Sequence, residues 1–509
     1  MTVKNENKLG WILAGLLLAI FVSAMDQTIV STAMGTIVAD LGGLDKFVWA
    51  TSAYLVAEMA GMPIFGKLSD MYGRKRFFVF GILLFLIGSI LCGTAHNIIE
   101  LSVFRAIQGI GGGAMMPIAF AIVFDVVPME KRGSMGGMFG GTFGLASIIG
   151  PLLGSYITDH WNWHWVFYIN IPIGIIAIGL IVWFYHESHE HSKQKIDWLG
   201  ALTLVASVVS LMFALELGGK TYAWDSIQII GLFTVFVVFF ALFLYVETKA
   251  VEPIISFKMF KKRLFTVTNL LSMFYGAAFI VPIVFIPIFV QGVFGGSATN
   301  SGLILLPLLL GSTVSSFTGG MLASKMSYRA VMIISGILLI PGIFLLGLMT
   351  ADTSRFVVTL IMILTGLGVG FSFSVVSIAA IHSFTPKEYG SVNATISFIR
   401  ELGMTVGITI YGVIQSHLMT GKIGTIFNGI GAHFPKSEWS DPRQMLTPET
   451  REHIPSVILH KLTVVLSTSI AHTFMWGLVP ACLAFITVFF LGKERMKLVS
   501  KPTKKPSAS

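Results

Sequence analysis

The stretch Gly66-Lys67-Leu68-Ser69-Asp70-Met71-Tyr72-Gly73-Arg74-Lys75-Arg76 stands between two apolar runs, near 47–67 and 77–95. Each run has about 20 residues, the length an α-helix needs to cross a hydrocarbon core of ~30 Å. The stretch between them is cationic and holds two glycines, which permit a sharp reversal of the chain. A charged, tight turn joining two bilayer-length apolar runs describes a pair of membrane-spanning helices.

The same alternation continues along the chain. Apolar segments fall near 10–34, 47–67, 77–95, 100–125, 134–158, 164–186, 197–217, 227–247, 265–292, 299–323, 329–350, 355–382, 391–419 and 470–492. The sequence therefore predicts an all-α integral membrane protein with about fourteen spans. Of its 509 residues, 54% are hydrophobic and 12% charged. That charged share is about half of what a soluble domain carries. The first apolar run continues past Asp26 without an A-x-A cleavage site, so it is expected to be a span and not a signal peptide.

Loop cations orient the spans. Lys67, Arg74, Lys75, Arg76, Lys131, Arg132, Lys193, Lys195, Lys249, Lys258, Lys261, Lys262, Arg263, Lys325, Arg329 and Lys387 fall on one side, with both termini. The short loops opposite hold only Lys46, Lys220 and Arg355. By the positive-inside rule, both termini are cytoplasmic. The net charge of +9 then faces cytoplasmic water and anionic lipid, and a nucleic-acid role has no folded basic domain behind it. Residues 421–469 are expected to form a long external loop, and 496–509 a disordered cytoplasmic tail. Cys92 and Cys482 lie in apolar runs and indicate no disulfide framework or metal cluster.

A weak internal repeat divides the chain. Pro128-Met129-Glu130-Lys131-Arg132-Gly133-Ser134 resembles Pro386-Lys387-Glu388-Tyr389-Gly390-Ser391, and Gly66-Lys67-Leu68-Ser69-Asp70 resembles Gly320-Met321-Leu322-Ala323-Ser324, without the acid. Both pairs sit roughly 250–260 residues apart, as expected of a transporter built from related halves. The expected organisation is a six-helix bundle over 1–190, two inserted helices over 191–250 and a second six-helix bundle over 251–495.

Two further stretches stand out. The fourth span contains Arg105-Ala106-Ile107-Gln108-Gly109-Ile110-Gly111-Gly112-Gly113. An arginine at membrane depth costs roughly 2.5 kcal/mol or more, which makes it a functional candidate or a partner of buried carbonyls. The fifth span reads Gly136-Gly137-Met138-Phe139-Gly140-Gly141-Thr142-Phe143-Gly144, then Gly150-Pro151-Leu152-Leu153-Gly154. Glycines at this spacing let helices approach closely, and Pro151 removes a backbone bond. Close packing and a hinge are equally compatible with it.

Together with the 66–76 loop, these stretches resemble the signature motifs of the major facilitator superfamily. The fifth-span pattern resembles the motif of its antiporter branch. Met25-Asp26-Gln27-Thr28-Ile29-Val30 and Trp163-His164-Trp165-Val166-Phe167-Tyr168-Ile169-Asn170-Ile171-Pro172 sharpen the likeness to the fourteen-helix drug:proton antiporter family. His164 departs from it, since the family usually has arginine there. The resemblance implies two six-helix bundles around a central cavity, alternating access, and outward drug movement against inward proton flow in a bacterial cytoplasmic membrane. It also implies a cytoplasmic lock formed by Gly66, Asp70, Gly73, Arg74 and Asp125.

Proton coupling needs a titrating group at membrane depth. Asp26, Glu58 and Glu401 lie well inside spans and are the candidates, with Arg105, Gln108 and Arg400 as polar neighbours. Arg400 and Glu401 point about 100° apart on a helix and need not pair. Glu216 and Glu247 are expected to snorkel at span ends. The 41 phenylalanines and 24 methionines suit re-packable apolar binding and cation–π contacts, although most must face lipid or core.

The expected substrate is a small amphipathic compound, cationic or lipophilic, exchanged for protons by a monomer in contact with lipid. No cofactor or metal is implied. An endogenous lipid, siderophore or metabolite is the alternative cargo. A membrane enzyme is a remote reading, because the His186, His189 and His191 cluster lies in a solvated loop. An ATP-driven pump is excluded, because Ala214 to Thr221 lacks the first glycine of a phosphate loop.

Overall fold

A computed structural model describes residues 3–41, 47–187, 196–219, 221–295, 298–428 and 456–495. The helices are α1 (Val3–Leu41), α2 (Phe47–Tyr72), α3 (Arg74–Cys92), α4 (Ile98–Val126), α5 (Met129–His160), α6 (Trp165–Tyr168), α7 (Asn170–Phe184), α8 (Trp198–Leu217) and α9 (Ile227–Lys249). They continue as α10 (Phe257–Phe260), α11 (Arg263–Gly292), α12 (Ala298–Lys325), α13 (Tyr328–Gly347), α14 (Arg355–Ile381), α15 (Tyr389–Asn428) and α16 (Ser456–Val488). Thirteen described segments are long and apolar enough to span a bilayer, with α6 and α7 forming one. α2 makes the fourteenth by length, and its Glu58, Lys67 and Asp70 lower its hydropathy. The chain is a multi-pass membrane protein.

Helix starts follow the capping residues. Asn97 Oδ1 accepts the N–H groups of Ile99 and Glu100 at the start of α4. Asp197, Ser226, Ser327 and Ser354 cap α8, α9, α13 and α14 in the same way. The turn expected over 66–76 narrows to Gly73 alone. Residues 66–72 stay helical, and Gly73 takes φ 116°, a conformation that favours glycine.

The internal repeat reappears as packing. Gly109 and Gly113 of α4 lie against the carbonyls of Tyr54 and Glu58 in α2, so close that a methyl group on either would overlap the oxygen. Gly366 and Gly370 of α14 lie the same way on Leu308 and Ser312 of α12. Each half thus joins its second and fourth spans through a glycine stripe. The halves meet where α2 packs on α15 and α5 packs on α12. The inserted α8 and α9 pair with each other, and α8 packs against α2. α9 turns Ile227, Ile230, Val237 and Val238 outward, a face suited to lipid.

The external loop expected over 421–469 is shorter than its polar composition implies. α15 runs to Asn428 and α16 begins at Ser456, leaving 429–455 outside the described residues. Leu462, Leu466 and Ile470 recur on one face of α16 and are buried, while His460 is exposed. The apolar spacing carries the helix past its charged residues. The 496–509 tail also lies outside the described residues.

Candidate functional site

Three groupings of polar side chains lie inside the molecule. The first joins the two halves at the helix ends that carry the basic loop. Arg74 is 4% exposed and forms ion pairs with Asp70 (2.9 Å) and Asp125. It also donates to the backbone oxygens of Ala121 (3.2 Å) and Pro386. Asp70 reaches across to α15, where it accepts the N–H groups of Gly390 (2.8 Å) and Ser391 (2.6 Å) and the Ser391 hydroxyl (2.9 Å). A carboxylate at a helix N-terminus satisfies orphan donors and complements the helix dipole. Gly66 lets α15 come this near, since a Cβ there would overlap Ala394. The sequence-expected Gly66, Asp70, Gly73, Arg74 and Asp125 are thus brought together. The donor end on α15 was visible in the sequence only as a repeat.

The second grouping lies inside the first half. Arg105 (1% exposed) pairs with Asp26 (0% exposed). Gln108 and Asn170 donate to the same Asp26 carboxylate at 2.9 and 2.7 Å. Arg105 also donates to Gln108 Oε1 at 2.8 Å and lies over the Tyr54 ring at 4.2 Å. Ser89 accepts from Asn170 at 3.0 Å. Asp26, Arg105 and Gln108 were expected to line the cavity. They line a closed polar network instead, because the acid has a cation and two amides of its own. Asn170 comes from the sixth-span motif, whereas nothing in the sequence distinguished Ser89.

The third grouping lines a cavity of about 220 Å³ between the halves. Glu58 of α2 and Glu401 of α15 enter it from opposite halves. Gln27 donates to Glu58 at 3.0 Å. Arg400 also lines the cavity, with its guanidinium 5.0 Å from the centre of the Phe373 ring. Among the described residues, no carboxylate lies within ion-pairing distance of Arg400. Met62, Met116, Met404, Phe120, Phe143 and Phe279 supply soft apolar wall.

The glycines of α5 serve two faces. Gly140 and Gly144 meet Thr313 and Leu309 of α12, and Gly140 also borders the cavity. Gly150 and Gly154 seat α5 against Thr28 and Ile29 of α1. Thr28 Oγ1 donates to the Ala146 carbonyl at 3.2 Å in the same contact. Pro151 lies inside the continuous α5.

Glu247 departs from its expected snorkelling position. It is 4% exposed and accepts the Ile254 N–H at 3.1 Å, holding the segment after α9. Among the described residues, no cluster of three or more metal-ligating side chains occurs. His189 and His191 of the expected histidine cluster lie outside the described residues.

The sequence profile of the Major Facilitator Superfamily matches residues 16–408, and a second match covers 268–500. The chain belongs to the Major Facilitator Superfamily. Within it, the chain is 54% identical over 507 residues to Multidrug resistance protein 3 of Bacillus subtilis, covering 99% of each chain. It is 37% identical to the Multidrug transporter protein MdtP of the same organism, covering 98% of this chain and 95% of the relative. Its fold is similar to that of a bacterial homologue of the lysosomal transporter Spinster in an inward-facing, occupied conformation. That likeness has a TM-score of 0.58 and 17% identity, and covers 96% of this chain and 99% of the other. Superfamily members of this kind are transporters, and the chain shares their fold over nearly its whole length.

Proposed function

We propose that the protein is a proton-coupled antiporter that exports lipophilic, amphipathic cations across the cytoplasmic membrane by alternating access, with both termini cytoplasmic. The observation that carries this reading is the cavity between the halves. Two carboxylates enter it from opposite sides, and Met and Phe side chains supply much of its remaining wall. A carboxylate in low dielectric binds either a proton or a substrate cation, so one site serves both ions by competition. The thioethers and rings adapt to apolar groups of varied shape. The multidrug names of the two Bacillus relatives support the same substrate class.

The contact across the halves supports alternating access. Asp70 on α2 holds the start of α15 by bonds made between the halves, a contact suited to closing one mouth of the cavity. The density of Lys and Arg at that end supports its assignment to the cytoplasm. Rocking the halves breaks those bonds and opens the cavity to that side.

Reconstitution into proteoliposomes with an acidic lumen tests the reading. Ethidium is expected to accumulate only while the pH gradient lasts, with alkalinisation of the lumen. A broad panel of lipophilic cations left unmoved under a stable gradient would contradict it and point to one endogenous lipid or metabolite.

A further inference from the structure

Three ionisable side chains face the central cavity: Glu58, Glu401 and Arg400. The other charges nearby are already balanced. Arg105 and Asp26 of the adjoining network neutralise each other, and Gln27 and Tyr54 beside Glu58 carry no charge. With both acids ionised, the cavity therefore holds two negative charges and one fixed positive charge. Arg400 is 7% exposed and is held against Phe373 rather than by a carboxylate of its own. Its charge acts on the neighbouring Glu401 and so counts toward the cavity's total.

We infer that Arg400 sets the charge count of transport: it leaves the cavity one positive charge short of neutrality, so that one proton or one monovalent cation fills it. Desolvated charge is costly, and the cavity is most stable when its charges sum to zero. A proton on either acid achieves this, and so does a substrate with a single cationic centre. A dication overfills the site, and a neutral compound leaves it unbalanced. Exchange of one proton for one monocation moves no net charge across the membrane. Without the guanidinium, two positive charges are needed instead, supplied by two protons, by a dication, or by a monocation together with one proton. Arg400 then acts as a specificity-determining residue through its charge, from beside the substrate.

This inference rests on the proposed reading of the cavity as the exchange site, and one set of measurements separates the two. Proteoliposomes with an acidic lumen are given tetraphenylphosphonium, a monocation, while valinomycin and potassium clamp the membrane potential. The wild-type protein is expected to release one proton per cation taken up, at a rate insensitive to the clamped potential. Arg400→Gln is expected to favour a bis-quaternary ammonium dication over the monocation and to release two protons per dication taken up, at a rate insensitive to potential; with the monocation one proton stays behind and the ratio remains one. Arg400→Lys is expected to return the preference to the monocation, whatever its rate. The wild-type ratio needs no variant, and a value other than one overturns the inference. Arg400→Gln that keeps the wild-type preference for the monocation over the dication overturns it as well. If Glu58→Gln and Glu401→Gln both keep gradient-driven uptake, the exchange-site reading itself falls.

Discussion

Glu58 on α2 and Glu401 on α15 share one cavity from opposite halves of the molecule. The same two helices are joined twelve residues along α2 from Glu58, where Asp70 holds the N–H groups of Gly390 and Ser391. At about 1.5 Å per residue, the two contacts are some 18 Å apart along α2. Charge in the cavity and closure at the basic end therefore act on one helix pair.

Asp70→Asn keeps the shape of the side chain and removes its charge. Hydrogen bonds to a charged group are worth about 1.5–3 kcal/mol each, so the closed arrangement is expected to lose a large part of its advantage. Spin labels at Arg76→Cys and Lys387→Cys, in a Cys482→Ser background, report the separation of the two ends. The variant is expected to show a broader distribution at longer distance than the wild type. An unchanged distribution with full transport would contradict the lock.

Asp26→Asn leaves Arg105 buried without its counter-ion. Removing one partner of a buried pair costs about 3–5 kcal/mol, so thermal unfolding in detergent is expected at a clearly lower temperature. Pairing it with Arg105→Gln removes the stranded charge and is expected to recover part of the loss. Equal stability of Asp26→Asn and wild type would show that the network is not structural.

The glycine stripes separate two kinds of position. Gly113→Ala forces a methyl group into the Glu58 carbonyl, and Gly370→Ala does the same at Ser312. Overpacking costs typically about 1–3 kcal/mol, and both variants are expected to unfold at lower temperature. Gly140→Ala meets Thr313 at 3.6 Å, an ordinary contact. It removes backbone freedom worth about 0.5–1 kcal/mol from the unfolded chain, so it is expected to be neutral or stabilising. Melting curves of the three variants check the contrast.

Most of the fold was legible in the sequence because bilayer solvation leaves a strong signal. An uninterrupted apolar run of spanning length has few other physical solutions. The same signal failed at Leu462 and Leu466, where apolar spacing continued inside a stretch whose charges suggested a loop. For the site, the residues of the lock were legible through the 66–76 motif and the repeat at 386–391. The sorting of the three buried acids was not. Asp26, Glu58 and Glu401 look alike as carboxyls inside apolar runs. What separates them is the company brought by other helices: Arg105, Gln108 and Asn170 around Asp26, against methionine and phenylalanine around Glu401. Such contacts between distant segments leave no local pattern.

Proton release on substrate binding tests the central claim most directly. Purified protein in lightly buffered detergent receives ethidium while a pH indicator follows the solution and ethidium fluorescence follows binding. The wild-type protein is expected to acidify the solution as it binds, with Glu58→Gln and Glu401→Gln each reducing the proton yield per ethidium bound. Binding without proton release by the wild type, or an unchanged yield in both variants, would contradict competition of proton and cation for this pair of acids.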